Sequence, residues 1–209
     1  LVIDISASMY GEKMEQLKNA ADHLINMVYP GDRVGVVKFS DYASVGQLFT
    51  QDRQLLKRKI ARLSSGGSTR YIPALAKARE LYGERTNGTE NGKVAVFLSD
   101  GHPWDKGKPE SIYNKARELI DEGICIYTIG YGEEIYPGSE AQRLLQKIVK
   151  MSQESGNCGK YNYAPARETR LVKIFGSIYH DAAGDVKGLE VIPHLEDDII
   201  YYRNTPKWN

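Results

Sequence analysis

Five oxygen-bearing side chains, held in three short segments, are the residues of this 209-residue chain whose types and spacing point to chemistry. The first segment is Asp4-Ile5-Ser6-Ala7-Ser8, directly after the apolar run Leu1-Val2-Ile3. The second is Gly66-Gly67-Ser68-Thr69, and the third is Ser99-Asp100-Gly101, which follows the apolar run VAVFL. Brought together, these segments offer two carboxylates and three or four hydroxyls, with no cysteine and no obligatory histidine. A hard, all-oxygen set carrying only two negative charges suits Mg²⁺ or Mn²⁺, with Ca²⁺ also possible. If the chain stays extended past Ile5, Asp4, Ser6 and Ser8 alternate toward one point. The competing reading of the two serines is capping of the helix expected over residues 11–29, since serine is a preferred N-cap.

The elements that must position these segments are legible in the apolar pattern. Leu1–Ile5 reads as a buried strand, and Met14, Leu17, Ala21, Leu24 and Val28 recur at helical spacing behind it. Pro30-Gly31-Asp32 ends that helix, and Arg33–Phe39 is the next strand. Ser44–Thr50 follows a tight connection, which favours an antiparallel hairpin. Helices are expected over Arg53–Leu63, along Leu75, Ala78 and Leu81, and from Pro109 to a stop at Gly123. Val94–Leu98 is apolar at every position, as a strand covered on both faces is, and Ile124–Gly130 is a further buried strand. Ser139 and Gln142 form a capping box for the helix bearing Leu145, Ile148 and Met151. Lys160–Ala164 is a short strand, and Arg167–Ala182 a final helix with the stripe Leu171, Ile174, Phe175 and Ile178.

Strand–helix alternation of this kind implies an α/β fold, a doubly wound and mostly parallel sheet with helices on both faces. In such a sheet ligands bind outside the carboxyl ends of the strands, near the point where strand order reverses. That rule selects the same three segments by position alone. From Gly184 to Asn209 the alternation breaks, and the strand-like pieces Leu189–Ile192 and Ile199–Tyr202 suggest an extra hairpin or the start of a further domain.

Composition excludes several classes. Hydrophobic residues are 41% and charged residues 26%, as in a globular protein with a sizeable core. Lysine and arginine total 28 against 27 acidic residues, which gives no reason to expect a nucleic-acid partner. No apolar run approaches the ~18 residues of a membrane span. The chain starts on Leu1 inside a strand pattern, so it reads as a segment of something longer.

The runs LVIDISASM, GGSTRYIPAL and FLSDGHP resemble, in order and spacing, the three loops of the von Willebrand factor A-type domain. The resemblance covers residues 1–183 and leaves 184–209 as an extension. It implies a three-layer, Rossmann-like fold with a six-stranded, mostly parallel sheet and one antiparallel edge strand. It also implies a metal-ion-dependent adhesion site built from Asp4, Ser6, Ser8, Thr69 and Asp100. Two positions depart from the family pattern: Ala7 stands where glycine is usual between the serines, and Ser68 replaces the second glycine before the threonine. Register against Ala74-Leu75 assigns the ligand role to Thr69, and all five ligand types are retained. In related domains one coordination position stays open for an acidic side chain of a protein partner. The function implied is metal-dependent, adhesion-type protein binding by a module of a larger chain or complex, without catalysis. In some family members the final helix slides along its axis to change affinity.

Two other readings compete. A Mg²⁺-dependent phosphohydrolase with Asp4 as nucleophile needs a second carboxylate two residues on, where this chain has Ser6. A scaffold domain with a purely structural metal would bind its partner elsewhere, for instance through residues 184–209. There is no nucleophile elbow, P-loop or H-E-x-x-H. Tyr10, Arg70, Tyr71, His102 and Trp104 flank the five candidate ligands and form an expected partner-binding rim of hot-spot residue types, with loop packing the alternative for Tyr71 and Trp104 and the preferred reading for His102. His23 is expected at the surface or half-buried. Cys125 and Cys158 permit a disulfide, but a buried Cys125 and a free Cys158 in a loop are preferred. Asn87-Gly88-Thr89 is a formal glycosylation acceptor.

Overall fold

The computed structural model describes residues 1–83, 92–105, 109–156, 158–165, 168–183, 189–192 and 201–204. Asn87-Gly88-Thr89 lies outside these. Strand β1 (Val2–Asp4) is followed by a single 3₁₀ turn (Ala7–Met9) and helix α1 (Glu12–Met27). Then come β2 (Val34–Phe39), β3 (Ala43–Thr50), α2 (Arg53–Ala61) and α3 (Tyr71–Gly83). The second half runs β4 (Lys93–Ser99), α4 (Pro109–Asp121), β5 (Ile124–Tyr131), α5 (Glu140–Gly156), β6 (Tyr161–Ala164) and α6 (Glu168–Ala183).

The six strands form one sheet in the order β3-β2-β1-β4-β5-β6. All neighbours are parallel except β3, which pairs antiparallel with β2 through the tight turn from Phe39 to Ala43. β1, only three residues long, is the central strand: Val2 pairs with Val37 on one side and Phe97 on the other. Alternation along it sends Ile3 into the core under α1, α2 and α6, and Val2 into the core under α3, α4 and α5. The stripe Leu171, Ile174, Phe175 and Ile178 is buried in the first of these cores, where α6 packs on α1. This is the three-layer, doubly wound architecture expected from the strand–helix alternation.

Helix ends follow the local chemistry. Ser139 Oγ accepts the Gln142 N–H at 3.2 Å, and the Gln142 side chain reaches back to the Gly138 N–H at 2.6 Å, one residue beyond the capping-box position. His23 lies on the exposed side of α1. A separate antiparallel pair joins β7 (Leu189–Ile192) to β8 (Tyr201–Asn204), so the second strand sits about two residues later than the pattern placed it.

The cysteines correct the sequence-based preference. Cys125 and Cys158 are disulfide-bonded, with Cα atoms 5.8 Å apart. The reason is register: Thr128 pairs with Tyr161 in the parallel β5–β6 ladder, and the same offset of 33 carried back three residues sets Cys158 opposite Cys125. No helix among the described residues is long and apolar enough to cross a membrane.

Candidate metal centre

Strand order reverses between β1 and β4, so the chain leaves their carboxyl ends in opposite directions and opens a crevice there. β1 delivers Asp4 to that crevice and β4 delivers Ser99 and Asp100. The chain does not stay extended past Ile5, the condition on which simple alternation would aim Asp4, Ser6 and Ser8 at one point. Ser6 is extended (φ −61°, ψ 169°), but Ala7–Met9 then makes the 3₁₀ turn. The Ala7 N–H donates to the Gly67 carbonyl at 2.9 Å and the Met9 N–H to the Ser6 carbonyl at 3.0 Å. The turn folds Ser8 back so that its Oγ lies 3.0 Å from Ser6 Oγ. Neither serine caps α1, whose N-cap is Gly11, and Ser6 makes no side-chain capping bond to the 3₁₀ turn either. Both hydroxyls are thus free of the capping role.

Asp4 and Asp100 are both fully buried. Asp4 Oδ1 accepts the Ser6 N–H at 2.8 Å, and Oδ2 accepts the Ser99 hydroxyl at 2.6 Å. Burial pushes the Asp4 carboxyl up to about 6, against the opposing pull of those hydrogen bonds and with a small further push from the Asp100 charge. No cation pairs with Asp4 among the described residues. Asp100 divides its two oxygens: Oδ1 accepts the Ser8 hydroxyl at 2.7 Å, and Oδ2 takes the Lys13 ammonium at 2.7 Å.

The second loop leads into α3. Gly67 has φ +82°, and a Cβ there would lie 2.3 Å from Asp41 Oδ2, so only glycine lets that carboxylate in. Asp41 Oδ1 in turn accepts the Ser68 N–H at 3.2 Å and the Ser68 hydroxyl at 2.5 Å. Ser68 is therefore committed to Asp41, while the buried Thr69 faces the other way. A methyl-sized group on Gly101 would lie 3.7 Å from Thr69 Oγ1, 3.9 Å from Ser8 Oγ and 3.6 Å from a carboxylate oxygen of Glu134. Thr69 Oγ1 makes no hydrogen bond among the described residues.

The second and third loops are stitched together. Asp105 accepts the Tyr71 and Ile72 N–H groups at 2.6 and 3.2 Å, capping α3 from 34 residues away. The Trp104 N–H donates to the Thr69 carbonyl at 2.7 Å, and the Tyr71 hydroxyl to the Gly101 carbonyl at 2.9 Å. Tyr71 is the one rim residue that the structure removes from the surface. It is fully buried, its ring set edge-on to Phe97 at 4.9 Å and to Phe39 at 6.1 Å beneath the site. Tyr10 (82% exposed) and Trp104 (73% exposed) stand out into solvent. His102 is exposed near Glu140, and Arg70 is half-buried beside Asp105 at 3.8 Å.

The donor chemistry fits a hard divalent cation: oxygens only, two of them on buried carboxylates, with hydroxyls filling in where charge is absent. Among the described residues no group of three or more His, Cys, Asp or Glu is arranged to hold a metal, as expected of a set that relies on hydroxyls. Four contributors were not singled out from the sequence. Ser99 was within reach, being next to Asp100 at a strand end. Lys13 reads as an ordinary helix-surface lysine, Asp105 acts across 34 residues, and Glu134 arrives from the loop after β5, so no local pattern marks them.

A family model described as the von Willebrand factor type A domain matches residues 1–175. The chain belongs to that family. Mouse inter alpha-trypsin inhibitor, heavy chain 4, is 26% identical over 194 residues, covering 87% of this chain and 19% of its own length. The chain thus spans under a fifth of the inter-alpha-trypsin inhibitor heavy chains it matches. A von Willebrand factor type A structure from Catenulispora acidiphila superposes with a TM-score of 0.71 at 22% identity, covering 90% of this chain and 42% of that one. Proximal thread matrix protein 1 from the mussel byssus, solved with a zinc-occupied MIDAS motif (the adhesion site named above), superposes at 0.65 with 21% identity, over 84% of this chain and 43% of its own. At these identities the solved structures speak to the fold.

Proposed function

We propose that this von Willebrand factor type A domain is a non-enzymatic, metal-dependent protein-binding module. In this reading Asp4, Ser6, Ser8, Thr69 and Asp100 hold a Mg²⁺-type cation, and a partner presents an Asp or Glu carboxylate to it. The observation that carries the reading is the buried Asp4 carboxylate. It has no cationic partner and lies among hydroxyls that do not serve as helix caps. A bound dication would supply that missing charge and, ligated largely by neutral hydroxyls, would stay electrophilic toward an incoming carboxylate. Ser6 and Ser8 hold their oxygens toward the crevice through the 3₁₀ turn. Asp105 keeps Thr69 beside the Asp100 loop. Tyr10, Arg70, His102 and Trp104 form the rim around the crevice, and their aromatic and basic character suits an acidic partner segment.

The relatives matched by sequence are in keeping with a non-enzymatic binding role: the heavy chains are named for a trypsin inhibitor, not for a reaction. Residues 1–183 are taken as the domain and 184–209 as an extension of it, within a longer chain. The test is calorimetric titration of the protein with Mg²⁺ and Mn²⁺. It is followed by selection from a displayed peptide library with the cation and with EDTA, for the wild type and Asp4→Ala. Cation binding lost in Asp4→Ala, and enrichment of Asp- or Glu-containing peptides lost in EDTA, are expected. Peptide binding that survives both chelation and the substitution overturns the reading.

A further inference from the structure

Lys13 is the one side chain ion-paired with a candidate ligand among the described residues, and its route to that ligand is built into the fold. It projects from the first turn of α1, and its side chain is 22% exposed against 0% for Asp100. Its stem crosses Gly132 so closely that a Cβ there would lie 3.2 Å from Lys13 Cε and 3.3 Å from Nζ. The backbone on either side is anchored: the Gly132 N–H donates to the Ala164 carbonyl at 2.8 Å, and the Tyr131 hydroxyl to Gln16 Oε1 at 2.8 Å and the Lys13 carbonyl at 3.4 Å. The ammonium meets Asp100 on Oδ2, while Oδ1 faces the hydroxyls of the crevice. One carboxylate oxygen is therefore spent on Lys13 and the other is aimed inward.

We infer that Lys13 is a positioning residue that withholds half of the site's negative charge, so that a bound divalent cation is left with excess positive charge and requires a carboxylate from outside. The inference rests on the cation reading above and deepens it. Asp4 and Asp100 contribute two negative charges, the hydroxyls none, and Lys13 one positive charge. A dication in the crevice then leaves a net charge of about +1. Arg70 and Asp105 offset each other at the edge; outside the five-residue set, the exposed Glu134 stands by Gly101, and Asp41 stands by Gly67 with its Oδ1 taken up by Ser68. Without Lys13 the two aspartates would neutralise the dication outright. The site would hold metal more tightly and attract acidic groups less.

A merely structural role predicts the opposite sign, since loosening Asp100 weakens metal binding. Mn²⁺ affinity by calorimetry and acetate affinity of the Mn²⁺-loaded protein, read from water-proton relaxation, separate the two for wild type, Lys13→Met, Lys13→Gln and Lys13→Arg. The expected result is Mn²⁺ binding roughly tenfold tighter in the Met and Gln variants, with acetate binding weakened severalfold and Lys13→Arg restoring wild-type behaviour. Lys13→Gln keeps a hydrogen-bond donor for Asp100 and so guards against a folding defect in Lys13→Met. Unchanged or weakened Mn²⁺ affinity in both neutral variants, or unchanged acetate affinity, overturns the inference while leaving the cation reading intact. A wild-type protein that binds no Mn²⁺ overturns both.

Discussion

Replacing Asp4 by asparagine should stabilise the metal-free protein while abolishing its response to divalent cations. Asp4 is completely buried beside Asp100, with Tyr71 below and Lys13 reaching only as far as Asp100, and its carboxyl is raised from 3.8 to about 6. A shift of about two units corresponds to roughly 3 kcal/mol held against the folded state whenever Asp4 is ionised. Asparagine is nearly isosteric and removes that charge. At pH 8 in EDTA the variant should therefore melt higher, by up to roughly 6–12 °C for a chain of this size. The sign with pH follows from the raised value. The folded state binds this proton more tightly than the unfolded chain, so the cost is absent below about 3.8, grows as pH rises, and is complete above about 6. The advantage of Asp4→Asn should thus shrink on acidification and vanish near pH 4. With excess Mg²⁺ the wild type gains stability by mass action and the variant does not. Calorimetric melts in EDTA and in Mg²⁺, over pH 4–8, measure every element of this. A variant that melts lower than wild type in EDTA at pH 8, or that still gains from Mg²⁺, refutes the reasoning.

Three further outcomes are expected. Thr69→Ala should weaken Mn²⁺ binding in a calorimetric titration, whereas Ser68→Ala, which loses only contacts to Asp41, should leave it within a fewfold of wild type. Asp105→Ala removes the cap on α3 and should cost about 1–2 kcal/mol in denaturant unfolding, with a parallel loss of Mn²⁺ affinity because Thr69 is released from the third loop. Reducing the Cys125–Cys158 bond frees a 33-residue loop and should lower stability by roughly 3–4 kcal/mol, seen as a fall in melting temperature on adding reductant that Cys125→Ser/Cys158→Ser no longer shows.

The scaffold was readable because its signals are local. Continuous apolar runs mark β4 and β5, helical spacing marks α1 and α6, and the short turn before Ala43 marks the one antiparallel strand. The three loops were likewise found from residue type and position at strand ends. What escaped depends on contacts between distant segments. The turn at Ala7–Met9 is drawn in by the Gly67 carbonyl of another loop, so extension past Ile5 could not be judged from the motif itself. Tyr71 lies two residues after Thr69, yet the start of α3 turns its ring inward between Phe39 and Phe97. The disulfide depends on the β5–β6 register, which one residue of slip would have broken. Lys13 and Asp105 show their roles only when α1 and α3 are packed on the sheet.

The shortness and centrality of β1 have a mechanical consequence. Anything held above Asp4 is attached in part to the end of the middle strand, which runs back from Asp4 through Ile3 to Val2. A pull directed out of the crevice therefore runs in part along β1. It is resisted by the hydrogen bonds to β2 on one side and β4 on the other, which lie across the direction of force and share it. Rupture under tension would have to shear both ladders at once, so a strand of three residues can serve as the anchor point of a load-bearing joint.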